Sequence, residues 1–435
     1  MLGLTGEAAR LRRLSFLTRL TLLGCVLTTA GVASAQSRRM WVMKAPNTIV
    51  EIDPTTFAEK GSVTLPAGAL ETPAALQVNA KGQMLFALGA DDPTIDASKG
   101  MADKVWLWDG QKAASIGRGY LHVVANSGSN QKVTESLPAP YLSAAGTHLY
   151  WFTNQIAKLE RDNVDLDVTT TFSVWRSDWA GKQREELATF DLPNCRCTTG
   201  ACQETCTEAR VWAPDSGVAG YFLLTRMIPG QTEPKYEGTY LYEGSNGSWA
   251  SAPLAEPLQR ILDATENGSF VVNAIPDIGC CGWENQSNDQ TVLYRYGKRT
   301  VIFDERARYK NPNYDVSFFT SNAKIAPDLS AVAMTIQATA KPGAAIQLAE
   351  QGAANPPESE RLRKVLPELP AVQVVSAAEV GKQIAYVPHA SVAGWLSEKE
   401  LVIVEGGVLV VFNPSTGARR KSAIKVADPG FVFVR

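Results

Sequence analysis

Ser391-Val392-Ala393-Gly394-Trp395-Leu396-Ser397-Glu398-Lys399-Glu400-Leu401-Val402-Ile403-Val404-Glu405-Gly406-Gly407-Val408-Leu409-Val410-Val411-Phe412-Asn413-Pro414-Ser415-Thr416-Gly417, continuing to Val426, decides the fold. It reads as two hairpins in succession. Val392 to Trp395 runs into a turn at Leu396 to Lys399, and Leu401 to Val404 returns. Gly406-Gly407 reverses the chain into Val408 to Phe412. Asn413 to Gly417 turns it again, and Ser422 to Val426 is the fourth strand. Short runs of Val, Ile and Phe bounded by Gly, Pro, Asn and Ser are strand and turn signals. Four such strands in series make one blade of a β-propeller.

Earlier stretches repeat the pattern. The first copy has Met40 to Met43, Thr48 to Ile52, a turn at Asp53-Pro54-Thr55-Thr56, and Gly61 to Leu65. The second runs from Ala75 to Ile116 and turns at Asn79-Ala80-Lys81-Gly82. The third spans Tyr141 to Phe190, the fourth Val211 to Trp249, and the fifth Ile261 to Phe303. The sixth has Ala323 to Ala326, Val332 to Ile336, Val372 to Val375 and Gln383 to Val387. Gly430 to Val434 is left over at one end, and the first copy lacks a strand at the other. Pairing the two closes the ring and removes an exposed sheet edge. The expectation is an all-β chain forming a single β-propeller of seven four-stranded blades.

Three stretches resemble known propellers. Ile325-Ala326-Pro327-Asp328-Leu329-Ser330-Ala331-Val332-Ala333 is similar to the PDG-type repeat of TolB-like, WD-like bacterial propellers, with Leu329 where that repeat has glycine. Ile52-Asp53-Pro54-Thr55-Thr56 and Asn413-Pro414-Ser415-Thr416-Gly417 resemble the turns of YVTN-type and quinoprotein propellers. The resemblance implies a fold, and that fold hosts many functions.

The N-terminus reads as a targeting segment. Arg10, Arg12, Arg13 and Arg19 precede an apolar or small stretch from Leu20 to Ala30. Ala33-Ser34-Ala35 fits a small-x-small cleavage site, with the cut before Gln36. Residues 1–35 are therefore expected to be a removed signal peptide, and 36–435 the propeller, with a long insertion at about 339–370. Leu22-Leu23-Gly24-Cys25 also resembles a lipoprotein box, so Cys25 is a second reading of the same segment. Arg12-Arg13 resembles a twin-arginine signal, except that Ser15 sits where an apolar residue belongs. An exported protein, periplasmic or extracellular, is expected, with no membrane span after cleavage. The chain is expected to act as a monomer. With 42 basic against 44 acidic residues it has no basic surplus, which argues against nucleic acid as a partner.

Connection lengths indicate the working face. In each copy the turns after the first and third strands are mostly tight, while the other two connections are often long. In a four-stranded meander the long ones emerge together, and long loops on a rigid scaffold are where binding concentrates. They are Gly89 to Lys104, Gly117 to Ala139, Asn154 to Thr171, Asp191 to Arg210, Pro229 to Gly238, Pro276 to Gln290, Asp304 to Asn322 and Thr339 to Pro370. The last carries helix-start chemistry from Pro357 to Val365.

Of the seven cysteines, all but Cys25 lie downstream of the cleavage site. Cys195, Cys197, Cys202 and Cys206 sit in one long connection and Cys280 and Cys281 in another. In an exported chain these are disulfide candidates, with connectivity open. Thiolates suit zinc, but no Cys-x2-Cys pair and no histidine accompanies them, so no metal is assigned. Gly279 to Asp289 combines glycines, one large aromatic and several polar side chains. Trp283, Glu284, Asn285 and Asp289 are the candidate ligand-binding residues, an aromatic platform beside amides and carboxylates. The plainer reading of the same stretch is an Asn/Asp-rich turn. Asn163-x-Asp165-x-Asp167 mimics the start of a calcium loop without its Gly and distal Glu. His122, His148 and His389 are isolated from one another. No catalytic, phosphate-binding or dinucleotide motif is present, and no cofactor is expected. The leading expectation is a binding or interaction module for a protein, peptide or glycan. The alternative is a polymer hydrolase or lyase with carboxylates such as Glu284, Asp289, Asp304 and Glu305 at the channel mouth.

Overall fold

In the computed structural model the chain divides into two units, Met1–Arg38 and Arg39–Arg435. The structure describes residues 38–44, 48–64, 77–79, 81–88, 104–109, 113–118, 120–125, 131–137, 141–143, 147–161, 164–196, 209–212, 218–228, 235–243, 249–254, 258–265, 267–274, 290–295, 298–304, 316–340, 368–426 and 429–435.

Seven antiparallel sheets succeed one another along the chain. Blade 1 contains β1 (Met40–Lys44), β2 (Thr48–Ile52) and β3 (Glu59–Thr64). Blade 2 is β4 (Gln77–Val78), β5 (Met84–Leu88), β6 (Lys104–Trp108) and β7 (Ala113–Arg118). A hairpin of β8 (Tyr120–Ala125) and β9 (Gln131–Leu137) leads to blade 3, which is β10 (Tyr141–Ser143), β11 (Leu149–Arg161), β12 (Val164–Ser177) and β13 (Glu185–Arg196). Blade 4 is β14 (Ala209–Trp212), β16 (Tyr221–Ile228), β17 (Lys235–Glu243) and β18 (Trp249–Leu254); the short β15 (Val218–Ala219) pairs in parallel with β10 instead. Blade 5 is β19 (Leu258–Ala264), β20 (Phe270–Ala274), β21 (Gln290–Arg295) and β22 (Lys298–Asp304). Blade 6 is β23 (Val316–Ile325), β24 (Ala331–Ala340), β25 (Ala371–Ser376) and β26 (Gln383–Pro388). Blade 7 is β27 (Ala390–Trp395), β28 (Leu401–Glu405), β29 (Val408–Phe412) and β30 (Arg419–Lys425). A 3-10 turn at Pro429–Phe431 precedes β31 (Val432–Val434). There is no α-helix among the described residues.

The ring closes as the leftover strands predict. β31 completes blade 1 by pairing with β1, Met40 opposite Val434 and Val42 opposite Val432. Backbone bonds extend the ladder, Arg39 N to Arg435 O at 2.6 Å and Arg435 N to Arg39 O at 3.0 Å.

Side-chain alternation explains why the blades read as unbroken apolar runs. Successive residues of a strand point to opposite faces, and here both faces are buried. Met40 and Val42 pack against Ala393, Val402 and Val411 of blade 7. Trp41 and Met43, between and beyond them, pack against Val78 and Met84 of blade 2. The same division runs round the ring. Among the described residues there are seven apolar clusters, one for each pair of neighbouring blades. At about 1.5–3 kcal/mol for each large side chain buried, these seams are the main source of stability. The seam of blades 4 and 5 is aromatic, with Tyr221 stacked on Tyr242 and Phe270 stacked on Tyr294.

The tight turns follow from side-chain chemistry. Asp53 Oδ1 accepts the N–H groups of Thr55 and Thr56 at 2.8 and 3.0 Å, and Asn413 Oδ1 does the same for Ser415 and Thr416 at 3.0 and 3.1 Å. Each turn closes with the same backbone pair, Asp53 N to Ala58 O and Asn413 N to Ala418 O, both 2.8 Å. Gly417 takes a left-handed φ of 75°, while Phe57 adopts φ 59° at the matching place. Phe57 tolerates that conformation because its ring packs on the seam of blades 7 and 1. Leu329, standing where the resembling repeat has glycine, follows the same logic. Its φ is 60° and its side chain is buried in the seam of blades 5 and 6.

Two expected loops are strands. Gly117 to Ala139 contains β8 and β9, and Asn154 to Thr171 is the upper part of a continuous hairpin of β11 and β12, paired from Leu149↔Ser177 to Arg161↔Val164. β9 takes over from β10 as the partner of β11 between Asn154 and Leu159. Blade 3 thereby becomes a seven-stranded sheet, against four strands in each of the other six. Tyr120-Leu121-His122-Val123-Val124 of β8 is an apolar run, whereas the upper part of the β11–β12 hairpin has none to announce it. Its backbone groups are satisfied by partner strands on both sides of β11, and β-branched Thr169, Thr170 and Thr171 favour the extended form. Asp191 to Arg196, expected in a loop, likewise prolongs β13. The helix signal at 357–365 lies outside the described residues.

Candidate functional site

Strand direction separates two faces of the ring. In blades 2, 3, 5, 6 and 7 the first strand ends at a tight turn, and in all seven the third strand runs the same way to a short turn into the fourth. On that face the described turns bond to themselves. Asn79 Oδ1 accepts from Lys81 N and Gln83 N, Asp178 Oδ1 from Ala180 N and Lys182 N, and Ser376 Oγ from Ala378 N and Glu379 N. The ends of β5, β20 and β24 and the starts of β6, β21 and β25 lie at the opposite face, where 15, 15 and 30 residues separate each pair of strands in the sequence. Other connections at that end are short: residues 45–47 join β1 to β2, 162–163 join β11 to β12, 255–257 join β18 to β19, Gly406-Gly407 joins β28 to β29, and His389 joins blade 6 to blade 7.

The ends of the strands beneath these connections form the best-defined polar region. Gln290 opens β21 and Asp304 closes β22 opposite it. Gln290 Nε2 donates to Asp304 Oδ2 at 2.8 Å, and Arg299 Nη2 donates to Gln290 Oε1 at 3.3 Å. One step deeper, Asn273 faces Thr291 across the ladder. Asn273 Nδ2 donates to Thr320 O of blade 6 at 3.1 Å, and the Thr291 and Thr320 hydroxyls are 2.6 Å apart. Arg260 Nη2 donates to Ser321 O at 2.9 Å. On the other side of blade 6, Asn322 Nδ2 donates to Val392 O at 3.0 Å and Val392 N donates to Thr335 Oγ1 at 2.8 Å. The innermost strands carry β-bulges here, at Gln259 and Leu262 of β19, Ser321 of β23 and Ala393 of β27. Bulges re-aim side chains and cluster beside functional sites.

Near the tight-turn end, the same three blades share one buried charge pair. Asp263 Oδ2 accepts Ile325 N at 2.8 Å and Asp263 Oδ1 lies 3.7 Å from Lys324 Nζ. Trp395 Nε1 donates to Lys324 O at 2.9 Å. This chain crosses two seams and fixes the blades relative to one another.

Trp283, Glu284, Asn285 and Asp289 lie outside the described residues, as do Glu305, Cys25, Cys197, Cys202, Cys206, Cys280 and Cys281. Cys195 is in β13, where its backbone faces Val168 of β12. Asp304 is held by Gln290, which makes it an anchor of the strand end. Asp165 and Asp167 belong to β12 and face Glu160 and Leu159 in the ladder, so they do not wrap a calcium loop. His122 is in β8. His148 stands in the first turn of blade 3, its Nδ1 2.7 Å from Thr147 Oγ1. Burial and the neighbouring Arg176 hold it below the usual imidazole range, with Glu185 opposing. His389 adopts φ 55° and bridges blades through its backbone, N to Glu368 O and O from Gly406 N, both 2.9 Å. The three histidines do not converge, and no group of three or more His, Cys, Asp or Glu gathers among the described residues.

The polar layer of Asn273, Thr291, Thr320, Asn322 and Gln373 has no place in the sequence expectations. Its signal was present in Phe270-Val271-Val272-Asn273-Ala274 and Val372-Gln373-Val374, single amides inside apolar strands.

No family model and no curated protein sequence matches the chain. Solved structures do, at low identity. Dipeptidyl peptidase 4 of Porphyromonas gingivalis aligns with TM-score 0.43 and 9% identity, covering 91% of this chain and 59% of that one. The chain thus spans less than two thirds of that protein. The β-propeller domain of the Trilobed protease from Pyrococcus furiosus aligns with TM-score 0.41 and 10% identity, covering 90% and 94%. Apo AztD from Citrobacter koseri aligns with TM-score 0.38 and 8% identity, covering 90% and 95%.

Proposed function

We propose that the chain is an exported seven-bladed propeller of the TolB-like, WD-like kind, acting as a monomeric binding module. It takes a protein, peptide or glycan on the face of long connections. The observation that supports this is the asymmetry of the two faces. One bears short turns, several of them closed by their own Asp, Asn or Ser side chains. The other carries long connections between rigid strand ends, the usual arrangement of a binding surface. Trp283, Glu284, Asn285 and Asp289 are the proposed contact residues, and disulfides among Cys195, Cys197, Cys202, Cys206, Cys280 and Cys281 hold the connections that carry them.

The test uses the mature protein as bait against an extracytoplasmic extract, beside two variants. The first combines Trp283→Ala and Asn285→Ala on the long-connection face. The second combines Lys182→Ala and Lys399→Ala on the tight-turn face. Partners should be lost with the first and kept with the second, and the reverse pattern sinks the proposal. A non-reducing peptide map tests the disulfides, with free thiols at all six positions as the contrary result.

A further inference from the structure

In the seam of blades 5 and 6, polar side chains share strand faces with an apolar cluster. Val271 and Leu293 of blade 5 meet Met334 and Val375 of blade 6 in one cluster. Alternation then assigns the next positions on the same faces. Asn273 stands two residues beyond Val271, Thr291 two before Leu293, and Gln373 two before Val375. Asn273 and Gln373 are each 6% exposed. The Asn273 amide is oriented by its bond to Thr320 O. Asn273 Oδ1 and Gln373 Oε1 are buried, and neither has a hydrogen-bond partner among the described residues.

We infer that both oxygens are bound by internal water, so that this seam is a hydrated joint between two blades. A buried acceptor left unmet weakens folding by about tenfold to a hundredfold in the equilibrium constant, and two such losses in one seam are a heavy burden on a marginally stable chain. The ligand that removes the cost is small, neutral and a donor. Water meets all three conditions, and internal waters take up such unmatched polar groups in folded proteins. An anion is excluded by the bare acceptors, which would repel it. The Thr291 and Thr320 hydroxyls beside Asn273 already bond to each other at 2.6 Å, so neither is turned to the Asn273 oxygen.

A crystal structure of the unmodified protein gives the direct test. Water within about 2.7–3.2 Å of Asn273 Oδ1 and of Gln373 Oε1 is the expected result. Absence of water at both, or side chains turned to reach protein donors, overturns the inference. Gln373→Met gives an independent reading, since it keeps the length of the side chain and removes its acceptor. If water satisfies the oxygen, the variant folds no more favourably than the parent. A gain of tenfold or more in the folding equilibrium constant means that the oxygen was unmet, and the inference is wrong. The crystal result on the parent protein stands even if the variant does not fold.

Discussion

Gly394→Ala tests the closure of the ring. Gly394 sits beside the bulge of β27, against the last strand. A Cβ built there would lie 2.7 Å from Val434 Cβ, 3.2 Å from its Cγ2 and 3.5 Å from its Cγ1. Carbon atoms in ordinary contact are about 3.5–4.0 Å apart, so β31 would have to withdraw by nearly an ångström. It has little room to do so. Three register pairs tie it to β1, the Arg39–Arg435 backbone bonds extend the ladder, and Arg435 Nε donates to Val78 O of blade 2 at 3.0 Å. The backbone at Gly394 is outside the left-handed region, so alanine meets no conformational penalty and the effect is steric. Overpacking of this kind costs about 1–3 kcal/mol. The assay is equilibrium unfolding in urea of the parent, Gly394→Ala, Val434→Gly and the double variant. Val434→Gly by itself destabilises by losing a buried side chain. With the clashing Cβ gone, adding Gly394→Ala should cost almost nothing, leaving a coupling of about 1–3 kcal/mol between the two sites. Additivity within about 0.5 kcal/mol would refute the idea that Gly394 is required by the approach of β31.

Two further outcomes concern the paired turns of blades 1 and 7. Gly417→Ala should destabilise by about 1–2 kcal/mol, because only glycine adopts that left-handed φ freely; thermal unfolding measures it, and an unchanged midpoint would remove the strain argument. Asp53 is held well below its ordinary value of 3.8, first by the Thr56 N–H, then by Lys60 and the Thr55 N–H. A depressed carboxyl contributes stability that is complete above about pH 5 and is lost as pH falls through its folded value. Carbon-detected titration should therefore place Asp53 below the other carboxylates, and Asp53→Asn, which copies Asn413, should abolish that part of the acid dependence. Titration of Asp53 near 3.8 would show that these bonds do not form in solution.

Most of the ring was legible because blade strands are buried on both faces. Such strands read as continuous Val, Ile and Phe runs, and the turns between them announce themselves through Asp, Asn, Ser and Gly. The unequal ends, Met40 to Met43 and Gly430 to Val434, even implied the closure. β9 and the upper hairpin of β11 and β12 were not legible. Asn154, Gln155, Lys158 and Glu160 carry no apolar periodicity, and their strands are held by pairing with residues far along the chain. The amides of Asn273 and Gln373 were passed over because one polar residue in an apolar strand is a minor fluctuation in composition. Their significance comes from burial in one seam with their acceptor oxygens unmet among the described residues.

By itself, then, the order of residues determined the strands, the turn chemistry and the number of blades, since each rests on neighbours a few positions apart. Tertiary structure alone decided which side chains share a seam, why Leu329 and Phe57 occupy left-handed positions better suited to glycine, and why Gly394 must lack a Cβ. Those depend on contacts between residues distant in sequence, where burial of a ring or an isobutyl group offsets local strain and where a second strand sets how much room is left.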